Sequence, residues 1–513
     1  MSPSTKRPMF TCAALLCVVL SLAGRHGRSP LHHPDGPSDP FTTGDLAISG
    51  ISVGEADRGG HFRTVTFDIR WSHSWRTSEP PGNWDAAWIF LKYRVGSGEW
   101  RHAKLSTVPA QHSAPAGATL SPSPDGRGVF LHRSEGGSGE FRAAGVTVRW
   151  NHGMDRVADG AAVDVRVLGI EMAYVPEGDF LAGDQGRSYF SFTRGSNDNR
   201  PWPISSENAI EVTGAVSGGF YYRSSKDYEV TEWNAAEVVT GASFTLPAEF
   251  PKGHRALYAM KYELTEQQYV DFLNTLTAAQ AANRYDRANH GRFGYSISES
   301  GGTYSTGHPQ RACGFLSPAD AFAFADWAGL RPMSELEFEK ISRGSGSPAI
   351  PGEFAWGTTR VRNATSVTGT ESDRSRVTSS GANSYYSEGA YRPQFPLNAG
   401  IFFERGKPRE RSGATYYGVL DMSGNLNETC VTVGNSQGRS FTSRNGDGRL
   451  SADGFADEAG WPLRDGRGAG FRGGTLARTS DALRVSDRQE AAVQIDWTHR
   501  HIPWGFRGVR TIL

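Results

Sequence analysis

One short segment of the chain carries the residue types that bind a hard metal ion. Asp421 and Glu428 are separated by a tight Ser423-Gly424-Asn425 turn, which allows both carboxylates to approach one point with backbone carbonyls between them. Ca²⁺ takes about six to eight oxygen ligands in irregular geometry, so such a cluster suits this ion. The same spacing fits a turn whose Asp and Asn side chains bond to their own backbone. The spacing alone leaves both interpretations open.

A second candidate for metal binding is the pair His499 and His501. Residues two apart on a strand share one face, so both imidazoles can reach a single transition-metal ion. The alternative is a polar, partly exposed loop that holds no metal. The sequence contains no CxxC motif and no zinc-type cysteine spacing, so nothing in it predicts a zinc site.

The composition limits the partners and the number of domains. The 513 residues include 54 basic and 54 acidic side chains, which gives no electrostatic reason to expect nucleic acid or anionic membrane as a partner. A chain of this length exceeds one ordinary hydrophobic core, so we expect at least two domains.

The N-terminus has the pattern of a secretory signal peptide. Lys6 and Arg7 precede an apolar run from Met9 to Leu22, which is shorter than a membrane-spanning helix. We assign residues 1–24 to the signal peptide. The expected location is therefore secreted, periplasmic or cell-surface, with no transmembrane segment after the signal is removed.

Two of the four cysteines remain once the signal peptide is removed. Cys313 and Cys430 either form a disulfide in an oxidising compartment or stay as buried free thiols. Two cysteines alone do not decide between these alternatives.

The elements that follow divide the chain into two regions. A Pro-, His- and Ser-rich stretch at 25–43 predicts a flexible leader. Hydrophobic residues then recur at every second position over 44–168, which predicts a β-sandwich of about six or seven strands. The strongest examples are Val65, Phe67, Ile69 and Trp71, then Val146, Val148 and Trp150, and finally Val163, Val165 and Val167.

The second region, 169–513, has few helices, but three of them have clear start signals. Capping sequences begin at Thr265, Ser317 and Ser334, each with a Glu, Gln or Asp three residues later that can reach back to the N-cap. Between them lie Gly-rich irregular segments. The sequence therefore predicts an α+β domain with little regular secondary structure.

Six motifs in the second region resemble those of the formylglycine-generating enzyme, or sulfatase-modifying factor, family. They occur in the family's order and cover about residues 169–513, so the β-sandwich lies outside the resemblance. The motifs are Ala259–Tyr269 (AMKYELTEQQY), Ala328–Glu339 (AGLRPMSELEFE), Phe354–Gly357 (FAWG), Tyr417–Glu428 (YGVLDMSGNLNE), Phe471–Thr475 (FRGGT) and Gly505–Arg507 (GFR).

This resemblance implies a C-type-lectin-like fold and a calcium site. In the family, the residues that match Asp421, Gly424, Leu426 and Glu428 bind one structural Ca²⁺, two of them through backbone carbonyls. The resemblance therefore favours the calcium interpretation of the Asp421 turn over the hydrogen-bonded turn.

The sequence departs from the family at the residues that carry its oxidase chemistry. Family enzymes hold copper with two cysteines that follow the Arg-Gly-Gly motif, and thiolates are the ligands that Cu(I) prefers. Those positions are Arg478 and Leu483 here. We therefore expect neither a copper site nor conversion of cysteine to formylglycine.

These observations favour a secreted, non-catalytic module, in effect a pseudoenzyme, that binds an extracellular peptide, glycan or protein. Two alternatives stay open: a divergent metal-dependent oxidase that uses His499 and His501, and a structural surface or filament component. Arg, Asp and Trp side chains that match the position of the family's cleft are candidate ligand-binding residues. They are Arg472, Arg478, Arg484, Asp487, Arg488, Trp497 and Trp504. The alternative for the arginines is structural, since family members use several arginines to tie Gly-rich loops together by hydrogen bonds.

Overall fold

The computed structural model describes residues 46–195, 198–213, 218–222, 243–369, 376–388, 395–404, 406–462, 468–492 and 498–512. The predicted signal peptide, the predicted leader and Trp497 lie outside these residues. The described structure has 12% helix and 32% strand, which agrees with the prediction of an α+β chain with few helices.

The alternating hydrophobic pattern forms strands where it was predicted. The eight strands of the N-terminal half are β1 (Ala47–Val53), β2 (Arg63–Arg76), β3 (Asp85–Val95), β4 (Arg101–His102), β5 (Ala118–Pro122), β6 (Val129–Arg133), β7 (Gly137–Trp150) and β8 (Val163–Val175).

Two sheets of this half share one hydrophobic cluster. Strands β1, β2 and β7 form a three-stranded sheet, and β3, β5, β6 and β8 belong to a larger one. The alternate residues of β2 are buried because they face β3, β6 and β8. The cluster includes Val65, Phe67, Ile69, Trp71, Ile89, Leu91, Leu131, Val146, Val148 and Trp150.

The described residues of the C-terminal half contain sixteen short strands. They are β9 (Phe180–Ala182), β10 (Phe192–Arg194), β11 (Trp202–Ile204), β12 (Ile210–Val212), β13 (Phe220–Tyr222), β14 (Phe244–Leu246), β15 (Leu257–Met260), β16 (Ser298–Ser300), β17 (Thr303–Ser305), β18 (Arg331–Ser334), β19 (Val367–Thr368), β20 (Arg376–Val377), β21 (Asn427–Val431), β22 (Ala469–Arg472), β23 (Trp504–Gly505) and β24 (Gly508–Thr511).

One sheet runs through both halves of the chain. Its strand order is β22-β21-β18-β24-β15-β8-β3-β6-β5, with β4 paired to β3 and β23 paired to β21. The boundary predicted between residues 168 and 169 falls inside β8, which pairs with β3 on one side and with β15 on the other. All the described residues belong to one compact unit.

The three predicted helix starts are confirmed. Each begins at a capping box whose N-cap side chain accepts a hydrogen bond from the N3 backbone N–H. The helices are α1 (Glu266–Leu273), α2 (Ala278–Arg284), α3 (Pro318–Trp327), α4 (Glu335–Arg343), α5 (Arg409–Ser412) and α6 (Ser436–Arg439). None of them, within the described residues, has the length and hydrophobicity needed to cross a membrane.

A buried lysine ties the two halves together. Nζ of Lys261, which follows β15, lies 3.1 Å from Oδ2 of Asp85 on β3 and 3.0 Å from Oε2 of Glu171 on β8. All three side chains are almost fully buried. Burial lowers the pKa of Lys261, but the carboxylates of Glu171 and Asp85 raise it well above its ordinary value, so the lysine stays charged.

Replacing Lys261 with methionine is expected to lower the free energy of unfolding by about 3–5 kcal/mol, because Asp85 and Glu171 are left buried without their cation. Calorimetric melting of the two proteins measures the loss. The matched control is Lys407→Met, at an exposed lysine, which should change stability by less than about 0.5 kcal/mol. Equal melting of Lys261→Met and the wild type would contradict the assigned ion pairs.

Candidate functional site

The turn after Leu420 is built from residues that tolerate unusual backbone conformations. Asp421 and Asn425 have φ angles of +62° and +63°, in the left-handed region that Asp and Asn adopt more readily than most residues. Gly424 has φ of +102°, and a Cβ atom there would lie 2.3 Å from Oγ of Ser384. These constraints fold the segment into a tight turn with its polar side chains inside.

Three carboxylates are buried around this turn. Asp421 and Glu428 were predicted from the sequence, and Glu263 comes from the segment before α1. Oε1 of Glu263 accepts a hydrogen bond from the N–H of Leu426 at 3.0 Å, and Oε2 accepts one from Nδ2 of Asn425 at 2.6 Å. Sequence reasoning missed Glu263, although it lies within one of the six motifs.

Burial raises the pKa of these carboxyl groups. The pKa of Glu263 lies well above its ordinary value because of burial and the nearby negative charges of Asp421 and Glu428, against the attraction of Arg507. Burial also raises the pKa of Asp421 to about 6, although the backbone N–H of Gly400 donates to it. The cluster therefore stabilises protons or other cations.

Arg507 contributes a positive charge to the cluster. Its Nε donates to Oε1 of Glu428 at 2.7 Å, and its Nη atoms donate to the carbonyls of Met260 and Leu420 at 2.8 and 2.6 Å. Oε2 of Glu428 is buried with no hydrogen-bond partner. Three carboxylates beside one guanidinium, with an orphaned carboxylate oxygen, fit an additional cation.

Side chains alone do not complete a metal site here. In the described ranges, no group of three or more His, Cys, Asp or Glu side chains is arranged to hold a metal ion. A calcium ion at Asp421 and Glu428 would therefore need backbone carbonyls as well, which is the ligand type predicted for Gly424 and Leu426.

Two of the predicted ligand-binding arginines lie in a buried ion-pair network. Arg488 donates to both oxygens of Glu335, from Nε at 2.6 Å and from Nη2 at 2.9 Å. Arg472 donates to Glu335 at 3.0 Å and to Glu339 at 2.9 Å. Burial alone would raise the pKa of Glu335, but Arg488 and then Arg472 hold that pKa below its ordinary value. Arg472 therefore fixes α4 against β22, and Arg488 fixes α4 against the segment that follows Leu483. Both arginines are buried and offer little surface to a ligand.

The other predicted ligand-binding residues differ in exposure. Asp487 is buried, its Oδ2 has no hydrogen-bond partner, and burial raises its pKa to about 7. Arg484 forms an ion pair with Asp481. Arg478, whose side chain is 47% exposed, forms an ion pair with Glu490.

An aromatic and histidine surface lies around Trp504. The Trp504 ring stacks on Phe471 at 4.7 Å between centroids and contacts both His499 and His501 at 5.4 and 5.6 Å. The two imidazole centroids are 6.5 Å apart. Partial loss of hydration beside its neighbours, followed by the charges of His499 and Arg478, lowers the pKa of His501. Among the described residues, the two histidines gain no third side-chain ligand.

The two positions that match the family's copper-binding cysteines have other contacts. Arg478 is held by Glu490, as described above. Leu483 is completely buried. It belongs to a hydrophobic cluster with Phe354, Trp356 and Tyr386. Neither side chain can bind copper.

Cys313 and Cys430 are free thiols in the structure, which decides between the two alternatives that the sequence left open. Both are buried, and burial raises the pKa of each thiol well above its ordinary value. A buried thiol that resists ionisation is a poor nucleophile and a poor metal ligand. These cysteines therefore serve as small core residues.

Comparison with known proteins identifies the C-terminal region. A solved structure, Treponema denticola variable protein 1, matches at 13% sequence identity and a TM-score of 0.30 over 67% of this chain and 96% of that chain. No curated protein matches the sequence. The family model of the sulfatase-modifying factor enzyme 1-like domain (FGE-sulfatase) matches residues 205–512. The chain therefore belongs to the sulfatase-modifying factor family.

Proposed function

We propose that this protein is a secreted or surface-located member of the family that has lost copper chemistry and binds an extracellular peptide, glycan or protein. The observation that carries this proposal is the pair Arg478 and Leu483 at the copper-ligand positions. Their contacts with Glu490 and with a hydrophobic cluster support it. The buried thiols of Cys313 and Cys430 support it as well, since neither suits copper.

The surface around Trp504 is the proposed contact area for the partner. Arg478 and His501 are exposed and Trp504 is partly exposed, so the patch combines a guanidinium, imidazoles and an indole ring. Arg and Trp are enriched among the residues that dominate binding energy at interfaces. Arg472 and Arg488 have a supporting role, because they bind Glu335 of α4 from β22 and from the segment after Leu483.

A structural calcium ion belongs to the proposal. Asp421 and Glu428 would hold it with the carbonyls of Gly424 and Leu426, and it would neutralise the excess negative charge beside Glu263. The orphaned Oε2 atom of Glu428 supports this assignment. In the same proposal, the N-terminal region is a β-sandwich and the C-terminal region has a C-type-lectin-like fold.

The test of this function is the metal content of the purified, signal-free protein, measured by inductively coupled plasma mass spectrometry. The proposal expects about one calcium ion per chain, lost on chelation, and no copper or iron. Stoichiometric copper or iron would overturn it and favour an oxidase that uses His499 and His501. Absence of all metals would remove the calcium assignment.

Calcium is expected to stabilise the folded protein in a pH-dependent way. A free concentration one hundred times the Kd adds about 2.7 kcal/mol of unfolding free energy. The pKa of Asp421 near 6 means that a proton competes with calcium under acidic conditions. Thermal melts with calcium and with a chelator should therefore differ more at pH 7.5 than at pH 5.

Two carboxylate substitutions test this prediction, one at an assigned calcium ligand and one at a control position. Glu428→Gln should abolish the calcium-dependent rise in melting temperature, whereas Asp453→Asn, at an exposed residue, should keep it. An unchanged calcium effect in Glu428→Gln would contradict the assigned ligand.

A further inference from the structure

A cavity lies between the two halves of the chain. None of its lining residues belongs to the Asp421 turn or to the surface around Trp504. It has a volume of about 560 Å³, within the range of about 300–1,000 Å³ that is usual for small-molecule pockets. One wall comes from β3, β4 and residues 154–156. The opposite wall comes from residues 275–280, from Trp327 at the end of α3, and from residues 448–450.

The cavity lining carries excess positive charge. Its two carboxylates, Glu99 and Asp155, face five basic side chains, which are Lys92, Arg101, Lys104, Arg156 and Arg449. Across the described parts of the chain, Lys92, Arg101, Lys104 and Arg156 form no ion pair, and Arg449 lies 3.9 Å from its carboxylate partner. Unpaired cations that converge on one cavity attract an anion.

Lys92 is the innermost of these cations. Its side chain is 2% exposed, and its Nζ donates to the carbonyls of Trp327 at 2.7 Å and Gly448 at 3.0 Å. An ammonium group has three donors, and carbonyl oxygens do not neutralise its charge. Burial lowers the pKa of Lys92 well below its ordinary value, and the more distant carboxylates of Asp326 and Asp447 offset only part of the loss of hydration.

Three of the neutral groups of the lining already have partners, whereas Nδ1 of His102 is buried without a hydrogen-bond partner. Thr277 and Gln280 bond to each other in the capping box of α2. The Trp100 ring has the guanidinium groups of Arg94 and Arg166 at 4.8 and 4.6 Å from its centroid. Since the Trp100 ring is covered by two guanidinium groups, the cavity offers a ligand positive charge rather than ring stacking.

We propose that this cavity binds a small organic polyanion, of mono- to disaccharide size, through carboxylate or sulfate groups. The exposed guanidinium groups of Arg101, Arg156 and Arg449 would bind the outer oxyanion, and Lys92 the inner one. Guanidinium and ammonium groups form short, charge-assisted hydrogen bonds with such oxyanions.

Isothermal titration calorimetry of the signal-free full chain at low salt tests the proposal. The probes are citrate for carboxylates, a disulfated disaccharide for sulfates, and sucrose as the uncharged control. We expect saturable, salt-sensitive binding of citrate, the disulfated disaccharide or both, and no binding of sucrose. Binding of one anion alone identifies which oxyanion the cavity recognises.

Variants at the cavity mouth assign the binding to this place. Arg101→Gln and Arg449→Gln remove exposed charges, so the fold should be kept while the Kd rises about tenfold for each. The matched control is Arg142→Gln, at a guanidinium that is 65% exposed and paired with Glu140, which should bind like the wild type. Absence of binding by both anions, equal binding of sucrose, or an unchanged Kd in both mouth variants would overturn the proposal.

Discussion

Replacing Glu335 with glutamine is expected to lower the free energy of unfolding by about 4 kcal/mol, because two guanidinium groups lose a shared, fully buried carboxylate. Arg488 loses both of its bonds to a charged acceptor. Arg472 keeps Glu339 but loses its other anionic partner. Calorimetric melting measures the loss.

The origin of this loss is tested by a second substitution. Glu335→Gln combined with Arg488→Met should be more stable than Glu335→Gln alone, because the uncompensated buried cation is removed. The matched surface control is Glu410→Gln, whose partner Arg360 is 76% exposed and which should lose less than about 1 kcal/mol. If Glu335→Gln also lost less than about 1 kcal/mol of unfolding free energy, Arg472 and Arg488 would have found other acceptors.

Restoring the two cysteines is expected to create a copper site. The double variant Arg478→Cys with Leu483→Cys should bind about one Cu(I) per chain, because a pair of thiolates is the ligand set that this ion prefers. The wild type should bind none, since Cys313 and Cys430 lie in different hydrophobic clusters and supply no pair of thiols. Anaerobic titration with a competing Cu(I) chelator measures the stoichiometry and the Kd.

The single variants are the matched controls, because one thiolate at position 478 or 483 should bind Cu(I) much more weakly than the pair. Stoichiometric, tight copper binding by the wild type would overturn the proposed loss of copper chemistry. Absence of copper from a correctly folded double variant would show that these two positions do not face one site.

Local patterns predicted the elements well. The alternation in β2 and the capping boxes of α1, α3 and α4 each depend on neighbouring residues, so they are readable from the sequence. Helix α2 was missed, although Thr277 and Gln280 form the same capping box as the other helices. Its hydrophobic stripe is weak, since the helix is mostly alanine, asparagine and glutamine.

Contacts between distant segments were not predictable. The bonds from Lys261 to Asp85 and Glu171 join residues about ninety or more positions apart, and no local pattern specifies such pairs. The burial of Arg472 and Arg488 was unpredictable for the same reason, because their partner Glu335 lies far away in sequence. For these arginines the sequence left a ligand-binding role and a structural role open, and the buried ion pairs with Glu335 favour the structural role.

The position of β24 has a consequence for the order in which the protein folds. This strand lies in the interior of the large sheet, between β15 and β18, yet it comes last among the strands in the chain. Ladders between distant segments form slowly because loop closure must precede them. While the ribosome is still making the C-terminal residues, β15 and β18 therefore lack the strand that joins them. The sheet reaches its final form only after synthesis has passed residue 511, and until then the facing edges of β15 and β18 are unpaired.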